Sequence, residues 1–460
     1  MVLYIIKRLL LILPTWLVIS AIVFGLSRCV PGDLVAEKLK YDSEATNNSK
    51  ISEDIYTQSA VELGLNRPVF YASLMPRAFP DTLYKILHRD EREGVEKLLW
   101  QYGNWSAIQD FHVEVKQLWA KITENKEDVQ GDMQAFTSDV QQLLIQYDTA
   151  QIDAYLKNLT ISADTTPHKI AIQSLVQKFD WVKTHPTKAQ LYIPSFRWHG
   201  ADNQYNSWLN NFIRGNLGMS KDDQTVFEKL KQPLSRTLFL GLSTLILAFG
   251  IGVPLGVFAA GHRRKRRGKW LVKGLFAAYS LPTFWIATLA AVFFTTRFYG
   301  LKIFPEVGIG NPPVGASTFD SLWASLPHFT LPILCMVIHP IAIIARQTQA
   351  AVQDVLKREY ILTAISKGLP RRQVLWRHAV RNSLMPLATL LAAMIPSLVT
   401  GAFAVELIFN LNGMGQTTVS ALMGSDWSVI FAVFMLVSVI VLFSNLLSDV
   451  LYRWLNPRVV

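Results

Sequence analysis

The 460-residue sequence contains only two cysteines, Cys29 and Cys335, so no disulfide framework and no cysteine-based metal pattern is available to it. It has no GxxxxGK phosphate loop ending in Ser or Thr, which leaves nucleotide hydrolysis without its usual cradle. GxSxG, HExxH and CxxC arrangements are missing too, and His112, His168, His185 and His199 are dispersed along the polar middle of the chain. The reading is therefore not an enzyme, with no metal site.

Charge is the most informative scarcity. Half of the residues are hydrophobic and 17% are charged, and the charges are distributed very unevenly. Six stretches of 19 to 25 residues contain no Lys, Arg, Asp or Glu: Leu9–Ser27, Thr237–Gly261, Gly274–Thr296, Ser321–Ala345, Asn382–Val405 and Trp427–Ser448. A hydrocarbon core about 30 Å thick takes roughly 20 apolar residues in a helix, because only intrahelical bonding satisfies the backbone there. Buried helices of a soluble protein would normally keep a polar stripe. The expectation is an all-α integral membrane protein with six transmembrane helices. The first run, preceded by Lys7 and Arg8, is too long for a signal peptide and lacks a small-residue cleavage site, so it is read as a retained helix.

Basic residues set the orientation, since Lys and Arg are held on the cytoplasmic side during insertion. His262–Lys269 carries six of them and Arg346–Arg381 eight more, whereas Lys302 is alone in Tyr299–Asp320 and Glu406–Asp426 together. Both termini are thus expected in the cytoplasm. Topology accounts for much of the net charge of +11, which removes the argument for nucleic acid as a partner.

The domain layout expected is a first transmembrane helix over 1–28, an extracytoplasmic region over 29–235, and a five-helix core over 236–460 with a cytoplasmic loop at 347–383. The extracytoplasmic region, between helices 1 and 2, contains a mainly helical inserted domain at about 76–207. Val129, Met133, Phe136, Val140, Leu143, Leu144 and Tyr147 recur at three- and four-residue steps, and Ile170–Val182 forms a second such run with Leu175, Val176 and Phe179 on one face. Trp100, Trp105, Trp119, Trp181 and Trp198 are expected to anchor its core. Pro76–Ser207 has 14 basic and 17 acidic residues, in contrast to the basic remainder.

The segment Glu359–Pro386, EYILTAISKGLPRRQVLWRHAVRNSLMP, is more than a linker. Tyr360–Lys367 can form a short helix, Gly368 can end it with a left-handed angle, and Pro370 blocks its continuation. Arg371–Ser383 then restarts a helix. Two short helices around a glycine turn make a rigid knob that can transmit force.

These residues resemble the inner-membrane permeases of ABC importers for oligopeptides and dipeptides, a family that also includes nickel and glutathione systems. YIIKRLLLILPTWLVISAIVFGLSRCVPGD, ELGLNRPVFYASL, WLNNFIRGNLGMS, PLSRTLFLGL, GIGVPLGVFAA and SLPTFW carry the similarity, and TAISKGLPRRQVLWRHAVRNSLMP and VELIFNLNGMGQ are its most specific parts. The matching stretches cover about two thirds of the chain; Ala72 to about Ser207 has no counterpart.

The resemblance implies a bacterial inner-membrane, multi-pass subunit that forms half of a solute path. Its implied partners are a second permease subunit in a heterodimer, one or two cytoplasmic ABC ATPase subunits, an extracytoplasmic solute-binding protein and the lipid bilayer. No cofactor is implied in this chain, since ATP and Mg would bind the ATPase subunits. The ATPase-coupling role is carried to Glu359, Tyr360, Ala364, Lys367, Gly368, Arg377, His378, Arg381 and Asn382. Arg371 and Arg372 read equally well as topology markers. Thr363, Ile365 and Ser366 stand where family loops often have Arg or Glu, which leaves individual contacts open. Glu406, before the Gly413 and Gly415 turn, reads either as part of a gate or as the end of a span. His339, beside Pro340, reads as a relay or ligand, or as a packed residue near a kink. An ion-gradient-driven secondary transporter is the alternative, disfavoured because the uncharged stretches offer no carboxylate.

Overall fold

The computed structural model describes the chain except residues 1, 31–34, 36–38, 40–52, 125–131, 163–167, 223, 264, 299, 311–317, 382 and 456–460. It divides into two compact units, Met1–Val30 with Gly215–Val460, and Pro31–Arg214. The chain opens with an apolar helix, α1 (Val2–Cys29), and then enters the second unit with α2 (Glu53–Glu62).

Strand β1 (Ala72–Pro76) pairs antiparallel with β2 (Pro194–Trp198), Leu74 opposite Phe196, so the entry and exit of the intervening chain are fastened together. Among the described residues, five α-helices lie between the strands: α3 (Arg89–Tyr102), α4 (Trp105–Glu124), α5 (Asp132–Ile145), α6 (Thr149–Ser162) and α7 (Lys169–Thr184). Their apolar stripes meet in one core that includes Leu99, Ile108, Leu118, Val140, Ile152 and Leu175.

The periodic residues Phe136, Val140, Leu143 and Leu144 are buried as expected, but Tyr147 is exposed; Val129 lies outside the described residues. The tryptophan expectation is corrected in part. Trp105 and Trp119 pack against the core, whereas Trp100, Trp181 and Trp198 are 57 to 69% exposed. Aliphatic side chains together with Phe79, Phe111, Phe136 and Phe179 fill the centre, and those three larger rings are left at the surface. The unit ends with α8 (Gln204–Ile213), whose first turn is capped by the Asn203 carboxamide oxygen accepting from the Asn206 N–H at 2.8 Å.

The other unit resumes with the 36-residue α9 (Val226–Gly261), followed by α10 (Arg266–Ser280), α11 (Thr283–Thr295) and α12 (Thr318–Val355). After α13 (Glu359–Ser366), the single turn α14 (Arg371–Gln373) widens into π-helical winding over Val374–Val380. Short helices α15 (Leu384–Met394), α16 (Ser397–Thr400), α17 (Phe403–Ile408) and α18 (Met414–Met423) lead to the long α19 (Trp427–Leu455).

Among the described residues, four helical segments are long and apolar enough to cross a membrane: Ile6–Cys29, Val226–Gly261, Ala324–Val355 and Trp427–Leu451. The pair α10 and α11 makes a fifth only as a span bent by 89°. Two of the six uncharged stretches are therefore interrupted rather than continuous. At the first break, Pro282 pushes Leu281 into an extended conformation (φ −82°, ψ 126°) and supplies no N–H of its own. The second, Asn382–Val405, breaks at Ile395–Pro396 and again at Gly401, where φ is 74° and ψ 177°.

Helices α9 and α12 pack most closely, through small residues. Ala248, Gly252, Gly256 and Ala260 recur every fourth position of α9, and a Cβ on Gly256 would lie 2.4 Å from the Ala345 carbonyl oxygen. Close backbone approach of this kind is how helices associate where lipid removes the hydrophobic drive. Arg8 of α1 pairs with Asp449 of α19 at 3.2 Å, and the Ser444 hydroxyl of α19 donates to the Ala392 carbonyl of α15.

Candidate functional site

Three neighbourhoods in the membrane-type unit carry the candidate residues. The first is the elbow at Glu359–Arg381. Helix α13 ends in two bonds that together close a Schellman turn: the Gly368 N–H donates to the Ile365 carbonyl at 2.9 Å, and the Leu369 N–H to the Ala364 carbonyl at 3.4 Å. Gly368 has φ 75°, the left-handed angle that the turn requires.

Ile361, Ala364 and Val374 are buried together against Val355 and Leu356 at the end of α12. Ala379 is buried with Val257 and Ala260 of α9 and Val352 of α12. The π winding puts Val374 and Ala379, five residues apart, on this rooted side. Tyr360, Leu362, Ile365 and Trp376 are left 45 to 56% exposed, beside exposed Glu359, Lys367, Arg377 and Arg381. Most of the sequence-selected elbow residues are thus accessible. Ala364 instead joins the two arms, His378 is half-buried, and Asn382 lies outside the described residues.

The second neighbourhood is a polar clasp around Glu406, which is 1% exposed. Its carboxylate accepts from the Thr237 hydroxyl of α9 at 2.9 Å and from the Gln416 N–H of α18 at 3.0 Å. The Thr237 hydroxyl oxygen in turn accepts from the Met414 N–H at 2.7 Å. Glycines make room for the carboxylate: a Cβ at Gly413 would come 2.4 Å from its carbon and one at Gly415 3.0 Å from its oxygen. Glu406, Gly413 and Gly415, selected from sequence, are brought together, and the clasp joins α9, α17 and α18.

The third neighbourhood is a cavity of about 380 Å³ at the helix breaks. Its wall combines Gly241, Thr244 and Leu245 of α9, Thr283 and Phe284 at the start of α11, Met336, His339 and Pro340 of α12, and residues from Met394 to Val405. None of the lining residues is charged. His339 stacks on Tyr279, ring centroids 4.6 Å apart, and also faces the cavity. Among the described residues no group of three or more His, Cys, Asp or Glu could hold a metal ion.

Residues 252–460 match the family described as binding-protein-dependent transport system inner membrane component. The oligopeptide transport system permease protein AppB of Bacillus subtilis is 31% identical over 258 residues, which cover 56% of this chain and 79% of that protein. The chain belongs to this permease family. The dipeptide transport system permease protein DppB of Escherichia coli K12 is likewise 31% identical over 271 residues, covering 56% of this chain and 80% of its own length. OppB of Mycobacterium tuberculosis H37Rv, an oligopeptide transport system permease protein, is 32% identical over 258 residues, 56% of this chain and 79% of that one.

The permease is a multi-pass membrane transport component rather than an enzyme, in agreement with the sequence reading. Its polar unit nevertheless brings together side chains the sequence leaves apart. Ser73 Oγ lies 2.9 Å from His199 Nε2, whose Nδ1 is 3.3 Å from Asp81. Ser73 sits in regular strand opposite Arg197, and the trio ties β1 to the chain leaving β2.

Sequence inspection missed the exposed Leu362 and Trp376, the clasp partners Thr237 and Gln416, and the cavity residues Thr244, Thr283, Met336 and Met394. The available signals were the Pro282, Pro396 and Gly401 interruptions of otherwise uncharged runs.

Proposed function

We propose that this permease forms half of the transmembrane path of an ATP-driven peptide importer and receives mechanical work through the elbow. The peptide assignment rests on relatives named oligopeptide and dipeptide transport permeases. The observation that carries the mechanism is the rooting of Ile361, Ala364, Val374 and Ala379 against α9 and α12 while an apolar and basic tip stays exposed. Such a knob moves with the ends of two long helices, whereas a loose loop would absorb the displacement.

On this reading, Tyr360, Leu362, Ile365, Lys367 and Arg377 enter a groove of a cytoplasmic ATPase subunit, which binds ATP and Mg. Six passes are completed by the bent α10–α11 pair and by the broken 382–408 segment. The basic clusters at 262–269 and 346–381 favour cytoplasmic termini and an extracytoplasmic Pro31–Arg214 unit. That unit, with its acidic balance, docks the solute-binding protein or a neighbouring envelope component. Glu406 holds the gate-forming segment against α9, and a second, different permease subunit completes the path.

The test is solute uptake by the assembled system. Uptake should persist with a proton ionophore and stop when ATP is depleted. The opposite pattern would favour a gradient-driven carrier and contradict the proposal.

A further inference from the structure

The cavity at the helix breaks contains a hydroxyl that the fold leaves unused. Thr244 is 6% exposed, and its Oγ1 has no hydrogen-bond partner among the described residues. A helical threonine normally satisfies its hydroxyl by donating to the carbonyl one turn back. Thr348 does so to Ile344 at 2.7 Å, Thr295 to Ala291 at 2.6 Å and Thr288 to Phe284 at 2.9 Å. Thr244 forms no such bond, although it is buried and lines the cavity. A buried hydroxyl left unpartnered is destabilising, so its retention in a mostly apolar wall calls for an occupant that pairs with it.

The cavity offers a second set of donors. Helix α11 starts at Thr283, after Pro282, with no side-chain cap, and both Thr283 and Phe284 line the space. The Pro282 carbonyl accepts from the Trp285 and Ile286 N–H groups at 3.1 Å each, which leaves those of Thr283 and Phe284 without an intrahelical acceptor at the positive end of the helix. No anionic side chain is present to attract a cation, and no cationic one to form an ion pair. Met336, Met394, Phe284 and Phe403 are among the apolar side chains of the wall, where thioethers adapt to varied shapes; of its other polar groups, His339 stacks on Tyr279 and the Ser397 hydroxyl donates to the Met394 carbonyl.

We infer that this cavity is a transit site for an acyl oxygen, either a peptide carbonyl or a terminal carboxylate. Thr244 Oγ1 and the opening N–H groups of α11 donate to it, and the apolar body of the solute lies among the methionines and phenylalanines. The choice of a peptide-like solute rests on the importer reading above. The proposal accounts for the placement of a helix break beside an unsatisfied hydroxyl, and it makes Thr244 a specificity residue.

The test uses the assembled complex in lipid nanodiscs without the binding protein. Equilibrium binding of radiolabelled L-alanyl-L-phenylalanine and of L-alanyl-L-phenylalaninamide is compared for wild type, Thr244→Val and Thr244→Ser. Thr244→Val, nearly isosteric, should weaken binding about five- to tenfold, the worth of one hydrogen bond, while Thr244→Ser stays within about twofold. A penalty with both probes identifies a peptide carbonyl as the partner, and a penalty with the acid alone identifies the carboxylate. Equal binding by wild type and Thr244→Val, no binding of either probe by wild type, or an equal loss in Thr244→Ser would overturn the inference. ATP-dependent uptake of the same probes by wild type with its binding protein, measured in parallel, tests the importer reading separately. Binding without uptake would sink that reading and leave the acyl-oxygen site standing.

Discussion

Substitution of Gly368 separates the shape of the elbow from its surface chemistry. Nothing lies within 4 Å of the position a Cβ would take there, so Gly368→Ala introduces no clash. Its cost is that of holding an L-residue at φ 75°, about 1–2 kcal/mol, which corresponds to roughly a 5- to 30-fold loss in the closed elbow relative to opened forms. Asparagine tolerates this angle better and should cost less. Proline cannot adopt it at all, and it also removes the N–H that bonds Ile365, for a penalty of about 3 kcal/mol or more. Buried contacts of Ile361, Ala364 and Val374 resist opening, so assembly with ATPase subunits should survive in the Ala and Asn variants. The assay is solute imported per ATP hydrolysed in proteoliposomes. The coupling ratio should fall in the order Gly, Asn, Ala, Pro, with transport nearly abolished in Gly368→Pro while hydrolysis continues. Wild-type coupling in Gly368→Pro would refute the elbow mechanism.

Three further outcomes are expected. Gly256→Val places a side chain 2.4 Å from the Ala345 carbonyl and should abolish a monodisperse complex in size-exclusion chromatography, whereas Gly250→Ala, with nothing within 4 Å, should not. Glu406→Ala strips the Thr237 hydroxyl and the Gln416 N–H of their acceptor and should cost about 1–3 kcal/mol, seen as a lowered melting temperature, with Glu406→Gln intermediate. In the polar unit, burial and then nearby Lys116 hold His112 down at about 4, while the Glu91 carboxylate 3.7 Å away is already engaged by Lys116 at 2.8 Å. Its folded value lies below the ordinary 6.5, so the unfolded chain takes up the proton first and stability falls as pH drops from about 6.5 to 4, by about 3 kcal/mol in all. Hydrogen-exchange protection of Trp105–Glu124, corrected for intrinsic rates, should show this fall in wild type and not in His112→Phe.

Long-range absence of charge made the membrane-crossing segments legible, because lipid imposes the same demand on every residue of a span. The breaks were harder to see. Pro282 and Gly401 act through backbone angles, and their neighbours are as apolar as those of an unbroken helix. The Gly368 turn was readable since a left-handed stop followed by proline is a local signal, and its two closing bonds follow from it. Sequence alone could not show that Ala364 faces inward while Leu362 and Ile365 face outward, as this depends on where α12 and the π winding lie. Glu406 was chosen for its place before a glycine turn, yet its partner Thr237 is 169 positions away. The exposed tryptophans show the limit of periodicity, which identifies a helix face but not how large a ring its core has room to cover.

The central claim, that the elbow tip receives force from a separate ATPase, is tested most directly by site-specific cross-linking in the intact complex. Single cysteines replacing Leu362 and Ile365, in a chain with Cys29 and Cys335 substituted, should form adducts with the ATPase subunit that shorten or lengthen with its nucleotide state. A cysteine replacing the buried Ile361 should form none. A complex containing no ATPase subunit, or one in which the tip cysteines react only with lipid-soluble reagents, would contradict the account.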